Sequence, residues 1–133
     1  MTEGKKRVLI IDDELDICEV LKTKFQRYGF DVLVAHEGRE GFQKVKDEKP
    51  DCVLLDIRIP IGEDGLTFLR RIRSYRSEDP KEQNRIRKLP VIVLTAAGEG
   101  MKPLFQAEGI SEFVEKPFDS EDLKVKILKA TRS

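Results

Sequence analysis

The feature that most constrains the fold is an alternation of short apolar runs with longer amphipathic stretches. Residues 8–11 and 52–55 are apolar throughout, and so are residues 91–94. Such runs are typical of strands in a parallel sheet that is covered on both faces. Between two runs, Ile17, Leu21 and Phe25 recur every four residues, the spacing of one helix face. The pattern predicts an α/β fold with a doubly wound, five-stranded parallel sheet and right-handed crossovers.

The element boundaries follow from capping residues and helix breakers. We expect Asp13 to cap the first helix and Gly29 to end it. Asp119 opens the last helix, with Asp122 three residues on. The remaining predictions are strands near 8–11, 31–35, 52–56, 91–95 and 112–114; helices at 38–48, around 66–72 and between 100 and 108; and a loop containing Pro60, Gly62 and Gly65.

Composition excludes several classes of protein. The 133 residues carry 25 Lys+Arg and 25 Asp+Glu, and 39% are hydrophobic. We therefore expect one domain over 1–133. Zero net charge argues against direct nucleic-acid binding, and no apolar run is long enough for a membrane span or signal peptide. Cys18 and Cys52 lack metal-ligand spacing, so we expect buried thiols in a reducing cytoplasm and no structural zinc.

One segment carries a strong local charge. Residues 70–88 hold eight basic and three acidic residues, a local net of +5, in a connection where about 2–6 residues are usual. We favour a solvated, extended helix end, with a docking surface for an acidic partner or nucleic acid as the alternative. His36, which is the only histidine, is expected in a solvated loop.

Polar residues stand at the carboxyl ends of the predicted strands. Asp12 and Asp13 follow the first strand, and Asp56 ends the third. Thr95 ends the fourth strand, and Lys116 follows the fifth. Ligands of open parallel sheets bind at this edge. Each residue alone could be a cap, a turn residue or an ordinary strand residue, but their joint placement favours a site.

Three carboxylates at one edge require compensation by positive charge. Two carboxylates 4 Å apart repel by about 4 kcal/mol at an effective dielectric constant of 20. One lysine supplies part of the compensation, and oxygen ligands in an open site favour hydrated Mg²⁺ for the rest. A carboxylate beside Mg²⁺ can act as a nucleophile toward a phosphoryl group.

Four strings together resemble the receiver domain of bacterial two-component response regulators. They are VLIIDDE, DCVLLDIRIP, PVIVLTA and FVEKPF, and the resemblance extends from about Arg7 to Leu128. It implies a single receiver domain with a core of about 7–128 and no output domain, built on a flavodoxin-like sheet in the order 2-1-3-4-5 with five surrounding helices. It also implies that Asp56 accepts a phosphoryl group from a phosphohistidine of a sensor kinase or phosphotransfer protein, in a Mg²⁺-dependent reaction.

The resemblance also assigns the remaining site residues. Mg²⁺ would be bound by Asp13, Asp56 and the carbonyl of Arg58, with Asp12 acting through water. Lys116 would contact the phosphoryl oxygens, and Thr95 would turn toward them while Phe113 changes position. This switch would alter the surface formed by helix four, strand five and helix five, which an unidentified downstream protein reads. The bond between Lys116 and Pro117 is expected to be cis, and homodimer formation stays open.

Two alternatives differ in their chemistry. A receiver-like interaction module without phosphorylation would not need the full set of pocket residues. An aspartyl-phosphate phosphatase similar to the haloacid dehalogenases would carry a DxD nucleophile on its first strand, whereas Asp12 and Asp13 are adjacent here. We therefore expect a signalling switch that catalyses only its own phosphorylation and dephosphorylation.

Overall fold

The fold is built around a parallel sheet of five strands in the order β2-β1-β3-β4-β5. The computed structural model describes residues 5–57, 62–95, 100 and 102–132. Within these residues the strands are β1 (Arg7–Ile11), β2 (Asp31–Ala35), β3 (Cys52–Ile57), β4 (Val91–Thr95) and β5 (Glu112–Glu115). The order confirms the doubly wound sheet predicted from the alternating pattern.

Six helices connect and cover these strands in the part of the chain that the structure describes. They are α1 (Leu15–Arg27), α2 (Gly38–Glu48), α3 (Gly62–Arg73), α4 (Pro80–Arg87), α5 (Lys102–Glu108) and α6 (Ser120–Ala130). None of the described helices is long and apolar enough to cross a membrane.

The core has two halves, one on each face of the sheet. Alternate strand residues point to opposite faces, so Leu9 belongs to one half and Ile10 to the other. Helices α1 and α6 cover the face of Ile10, and α2, α3, α4 and α5 contribute buried residues to the face of Leu9. Cys18 and Cys52 are free, buried thiols in the half of the core that contains Ile10, and their burial agrees with the prediction.

Two predicted helix starts were wrong. Helix α1 has Glu14 rather than Asp13 at its N-cap, and the side chain of Glu14 makes no capping hydrogen bond. Helix α3 begins at Gly62, so Gly62 and Gly65 lie inside a helix instead of a loop. Glycine costs a helix only about 1 kcal/mol, and the burial of residues such as Leu69 outweighs that cost. Asp119 does cap α6, since its carboxylate accepts the Glu121 N–H.

The basic segment 70–88 contains a sixth helix that the sequence pattern did not indicate. Helix α4 has the Asp79 side chain as its N-cap and Pro80 in its first turn. Its buried residue is Ile86. An arginine attaches this segment to the rest of the domain, because Arg85 Nη1 donates to the Val45 carbonyl at 3.2 Å. The segment is therefore an ordered insertion and not an extended helix end.

Arg73 connects this insertion to the end of α5. Its Nη1 donates to the Arg87 carbonyl at 3.0 Å, and its Nε donates to the Gly109 carbonyl at 2.9 Å. Beside it, Arg70 Nε lies 2.9 Å from Glu108 Oε2. Much of the local positive charge thus serves contacts within the chain.

Candidate functional site

The candidate site lies where β1, β3 and β5 end. Asp12 follows β1, Asp56 is the penultimate residue of β3, and Lys116 follows β5. Asp12 is 2% exposed, and the side chain of Asp56 is 1% exposed. Lys116 Nζ lies 2.5 Å from Asp56 Oδ2. The fold therefore brings two carboxylates and an ammonium group together, as the positions at strand ends predicted.

Several carboxylate oxygens in this pocket have no hydrogen-bond donor. Asp12 Oδ2 and both carboxylate oxygens of Asp56 are buried without a hydrogen bond. The ammonium of Lys116 forms an ion pair with Asp56 and so compensates part of the carboxylate charge. Buried carboxylate oxygens are normally satisfied, because each unmet one costs about 1–3 kcal/mol or more. Unmet acceptors facing each other are what a cation would satisfy.

Burial is the main influence on the ionisation of Asp56. The pKa of its carboxyl group is raised from 3.8 to about 7, and desolvation by burial is the largest cause. The Lys116 ammonium acts in the opposite direction and lowers the pKa, while the neighbouring Asp12 contributes to raising it. Near neutral pH the carboxyl group is thus divided between its protonated and ionised forms. A bound cation would favour the ionised form.

Asp12 is held through most of its polar atoms. Its N–H donates to the Ala35 carbonyl at 3.0 Å, which attaches the end of β1 to the end of β2. Its Oδ1 accepts the Glu14 N–H at 2.9 Å. Asp13 is exposed beside it. No group of three His, Cys, Asp or Glu side chains among the described residues could by itself hold a metal ion, so water and main-chain oxygens would have to complete a metal site.

Thr95 and Lys116 are joined through the main chain. Thr95 is fully buried at the end of β4, where it lies in register with Ile57 and Glu115. The N–H of Lys116 donates to the Thr95 carbonyl at 2.8 Å. A displacement of the Thr95 main chain would therefore also shift the main chain of Lys116, whose side chain contacts Asp56.

Phe113 lies on β5, three residues before Lys116, and is partly buried. Its ring centroid is 6.5 Å from that of Phe105 on α5, and Lys102 Nζ is 6.0 Å from the Phe113 centroid. It pairs in register with Val93 of β4. The ring thus contacts α5 from the strand that leads to Lys116.

Of the remaining predicted site residues, the structure describes Pro117 and does not describe Arg58. The peptide bond between Lys116 and Pro117 is cis. Arg58, predicted to offer its carbonyl to a metal, lies outside the described residues, as does Pro60.

Two residues near Asp12 escaped the sequence prediction. His36 is partly buried instead of solvated, and its Nδ1 is 3.3 Å from the Asp12 carbonyl oxygen. The buried Cys18 thiol donates to the same oxygen at 3.3 Å. Burial raises the pKa of this thiol to about 12, so it remains protonated near neutral pH. The position of His36, directly after the strand that neighbours β1, is the signal that could have indicated its contact.

The family model of the response regulator receiver domain matches residues 8–128. The chain therefore belongs to the response regulator receiver domain family, which serves two-component signalling.

Solved receiver structures have the same fold. A putative response regulator from Chloroflexus aurantiacus is 27% identical, with a TM-score of 0.79 and coverage of 98% of this chain and 100% of that chain. The receiver domain of a sensor histidine kinase from Pseudomonas aeruginosa PAO1, with a magnesium ion coordinated in its active-site cleft, is 24% identical, with a TM-score of 0.80 and coverage of 98% and 100%. The chemotaxis response regulator CheY4 of Vibrio cholerae is 24% identical, with a TM-score of 0.78 and coverage of 96% and 99%.

Proposed function

We propose that this chain is a signalling switch in which Asp56 accepts a phosphoryl group from a phosphohistidine on a histidine kinase or histidine phosphotransfer protein. One observation carries the proposal: the Asp56 carboxylate is buried, its oxygens lack hydrogen bonds, and Lys116 Nζ is 2.5 Å away. Lys116 supplies one positive charge, and a carboxylate buried in this way beside Asp12 is costly to keep ionised unless a further cation or a covalent bond compensates it.

Mg²⁺ fits the oxygens that this pocket offers. Asp12 Oδ2 and Asp56 Oδ1 are unsatisfied, and Mg²⁺ binds oxygen and keeps several waters when protein ligands are few. We assign direct contacts to Asp13, Asp56 and the carbonyl of Arg58, and a contact through water to Asp12. The magnesium ion in the Pseudomonas aeruginosa receiver supports the same ion here. When bound, it would offset negative charge on the oxygens of the transferring group.

The transfer itself requires little of the protein beyond position and charge. An oxygen of the Asp56 carboxylate attacks phosphorus, the P–N bond to the donor imidazole breaks, and the released imidazole nitrogen takes a proton from water. Lys116 then holds a phosphoryl oxygen by a charge-assisted hydrogen bond. Hydrolysis of the acyl phosphate restores Asp56, so the protein catalyses only its own modification and its reversal.

The switch follows from the charge that phosphorylation adds. A phosphoryl group brings about −2 of charge and strong acceptors to the pocket, toward which Thr95 can turn its hydroxyl. We assign Phe113 to the same movement, because it contacts Phe105 of α5 and precedes Lys116 on β5. The predicted fourth and fifth helices are α5 and α6 here, because the additional helix α4 precedes them. The surface of α5, β5 and α6 would thereby take two states, which a downstream protein distinguishes. The free, buried thiols support a cytoplasmic location for this exchange.

The test is phosphorylation by a small-molecule donor. With Mg²⁺ and acetyl phosphate, the intact mass should show a single phosphoryl adduct that survives acid and is lost in alkali. Asp56→Asn should show no adduct, and omission of Mg²⁺ should suppress it. A protein that binds Mg²⁺ but forms no adduct would favour an interaction module. Rapid multiple turnover of phosphate esters would favour a phosphatase.

A further inference from the structure

We infer that His36 and Cys18 are positioning residues for the acidic pair Asp12 and Asp13, because both hold the peptide group that joins the two aspartates. The inference rests on the proposed function insofar as it concerns Mg²⁺. It adds two residues that contact neither the phosphoryl group nor the cation in that proposal.

The hydrogen bonds of Asp12 leave one of its atoms for the pocket. Its N–H, its carbonyl oxygen and Oδ1 all have partners within the chain. Its Oδ2 is buried and has no hydrogen bond. A residue that is fixed at three polar atoms and unsatisfied at the fourth is preorganised to use that fourth atom.

The carbonyl of Asp12 controls more than Asp12 itself. A peptide group is planar, so the direction of this carbonyl also sets the direction of the Asp13 N–H, and holding it restrains rotation about the backbone bonds on either side. Both aspartate side chains leave the backbone next to this plane. Holding the carbonyl therefore restrains the directions of the two Cα–Cβ bonds from which both carboxylates extend.

Two different elements supply the donors. Cys18 lies on α1, and its thiol donates to the carbonyl at 3.3 Å. His36 lies between β2 and α2, with Nδ1 at 3.3 Å from the same oxygen. A carbonyl oxygen has two lone pairs and cannot donate, so Nδ1 must carry the proton in this contact.

His36 is itself fixed by the start of α2. Its main-chain N–H donates to Glu40 Oε1 at 2.9 Å. Glu37, the next residue, caps α2 by accepting the N–H groups of Arg39 and Glu40. The imidazole therefore reaches Asp12 from an anchored part of the backbone.

The experiment compares two polar replacements of His36. Asn places its side-chain nitrogen near the position of Nδ1, whereas Gln places it near Nε2. We expect His36→Asn to keep the Mg²⁺ affinity of the wild type within twofold, and His36→Gln and His36→Ala to weaken it about threefold to tenfold, as expected for one neutral hydrogen bond. Calorimetry measures the affinity, and urea unfolding shows whether each variant remains folded.

A metal-free measurement separates this inference from the proposed function. The NMR order parameter of the Asp13 amide should be about 0.85 in the wild type and His36→Asn, and below about 0.7 in His36→Gln. The order parameter of the Asp13 amide should likewise be higher in Cys18→Ser than in Cys18→Ala. Equal order parameters for His36→Asn and His36→Gln would overturn the inference, whether or not Mg²⁺ binds. A wild type that binds no Mg²⁺ would instead contradict the proposed function, and the order parameters would still decide the role of His36.

Discussion

Replacing Asp56 by Asn should stabilise the metal-free protein, and the gain should grow with pH. Burial raises the pKa of Asp56 from 3.8 to about 7 in the folded protein. Between these values the folded state binds a proton that the unfolded state releases, so wild-type stability falls as pH rises. Each pKa unit corresponds to 1.36 kcal/mol, which gives roughly 4 kcal/mol over the whole range. Asn carries no such proton and escapes the loss.

Urea unfolding in EDTA at several pH values between 4.5 and 8 measures this difference. The free energy of unfolding of Asp56→Asn minus that of the wild type should rise by about 1.4 kcal/mol per pH unit up to about pH 6.5, and level off above pH 7. Asp47→Asn, at an exposed carboxylate bonded to Gln43, is the control and should show no comparable rise. A difference that stays constant from pH 5 to 8, or falls with pH, would refute the claim that burial destabilises the Asp56 charge.

Three further predictions follow from other parts of the structure. Calorimetry should show that Mg²⁺ binds about 100-fold more weakly at pH 5 than at pH 8, because the ion competes with a proton on Asp56 whose pKa is about 7; equal affinity at the two pH values would contradict this. Arg73→Ala should lower the free energy of unfolding by about 2–3 kcal/mol, because it removes hydrogen bonds to two carbonyls. As a control, replacement of the exposed Arg76 by Ala should change the free energy of unfolding by less than about 0.5 kcal/mol. Equal effects of the two substitutions in urea unfolding would count against the role of Arg73. Gly41→Ala should lower the free energy of unfolding by about 1–3 kcal/mol in the same assay, since its Cβ would meet the buried Ile11 side chain. A Cβ at Gly100 would meet nothing within 4 Å, so Gly100→Ala should leave the free energy of unfolding nearly unchanged. An equally small effect of Gly41→Ala would show that Ile11 can move aside.

The sheet could be predicted from sequence because a strand that is buried on both faces has a continuous run of apolar residues. A strand such as β4, Val91–Thr95, is buried at every position and is apolar except at its last residue. The direction of parallel strands then places their carboxyl ends together, so Asp12, Asp56 and Lys116 could be assigned to one edge. The resemblance of the four strings to receiver domains supplied the strand order and the roles of the site residues.

The inserted helix α4 escaped prediction because it has almost no apolar stripe. Of its residues, Ile86 is the one that is buried. Its stability depends on the Asp79 cap and on arginine contacts with carbonyls far along the chain, such as that of Arg85 Nη1 with Val45. The sequence Asp79-Pro80 was a local signal for a helix start, but contacts with distant carbonyls leave no periodic pattern.

The contact of His36 was hidden for a related reason. It depends on the direction of one side chain relative to a neighbouring strand, and β1 and β2 are separated by the whole of α1. The start of helix α3 could not be predicted either, because α3 includes Gly62 and Gly65, two poor helix formers, and is stabilised by the packing of its later residues. Tertiary packing overrides local preference at such positions.

The most direct test of the central claim locates the phosphoryl group on the chain. The protein is incubated with Mg²⁺ and acetyl phosphate, reduced with sodium borohydride, which converts an aspartyl phosphate to homoserine, and digested for tandem mass spectrometry. The account predicts homoserine at position 56 and at no other aspartate, with none in a sample that lacks Mg²⁺. Reduction at Asp12 or Asp13 with Asp56 intact would contradict it.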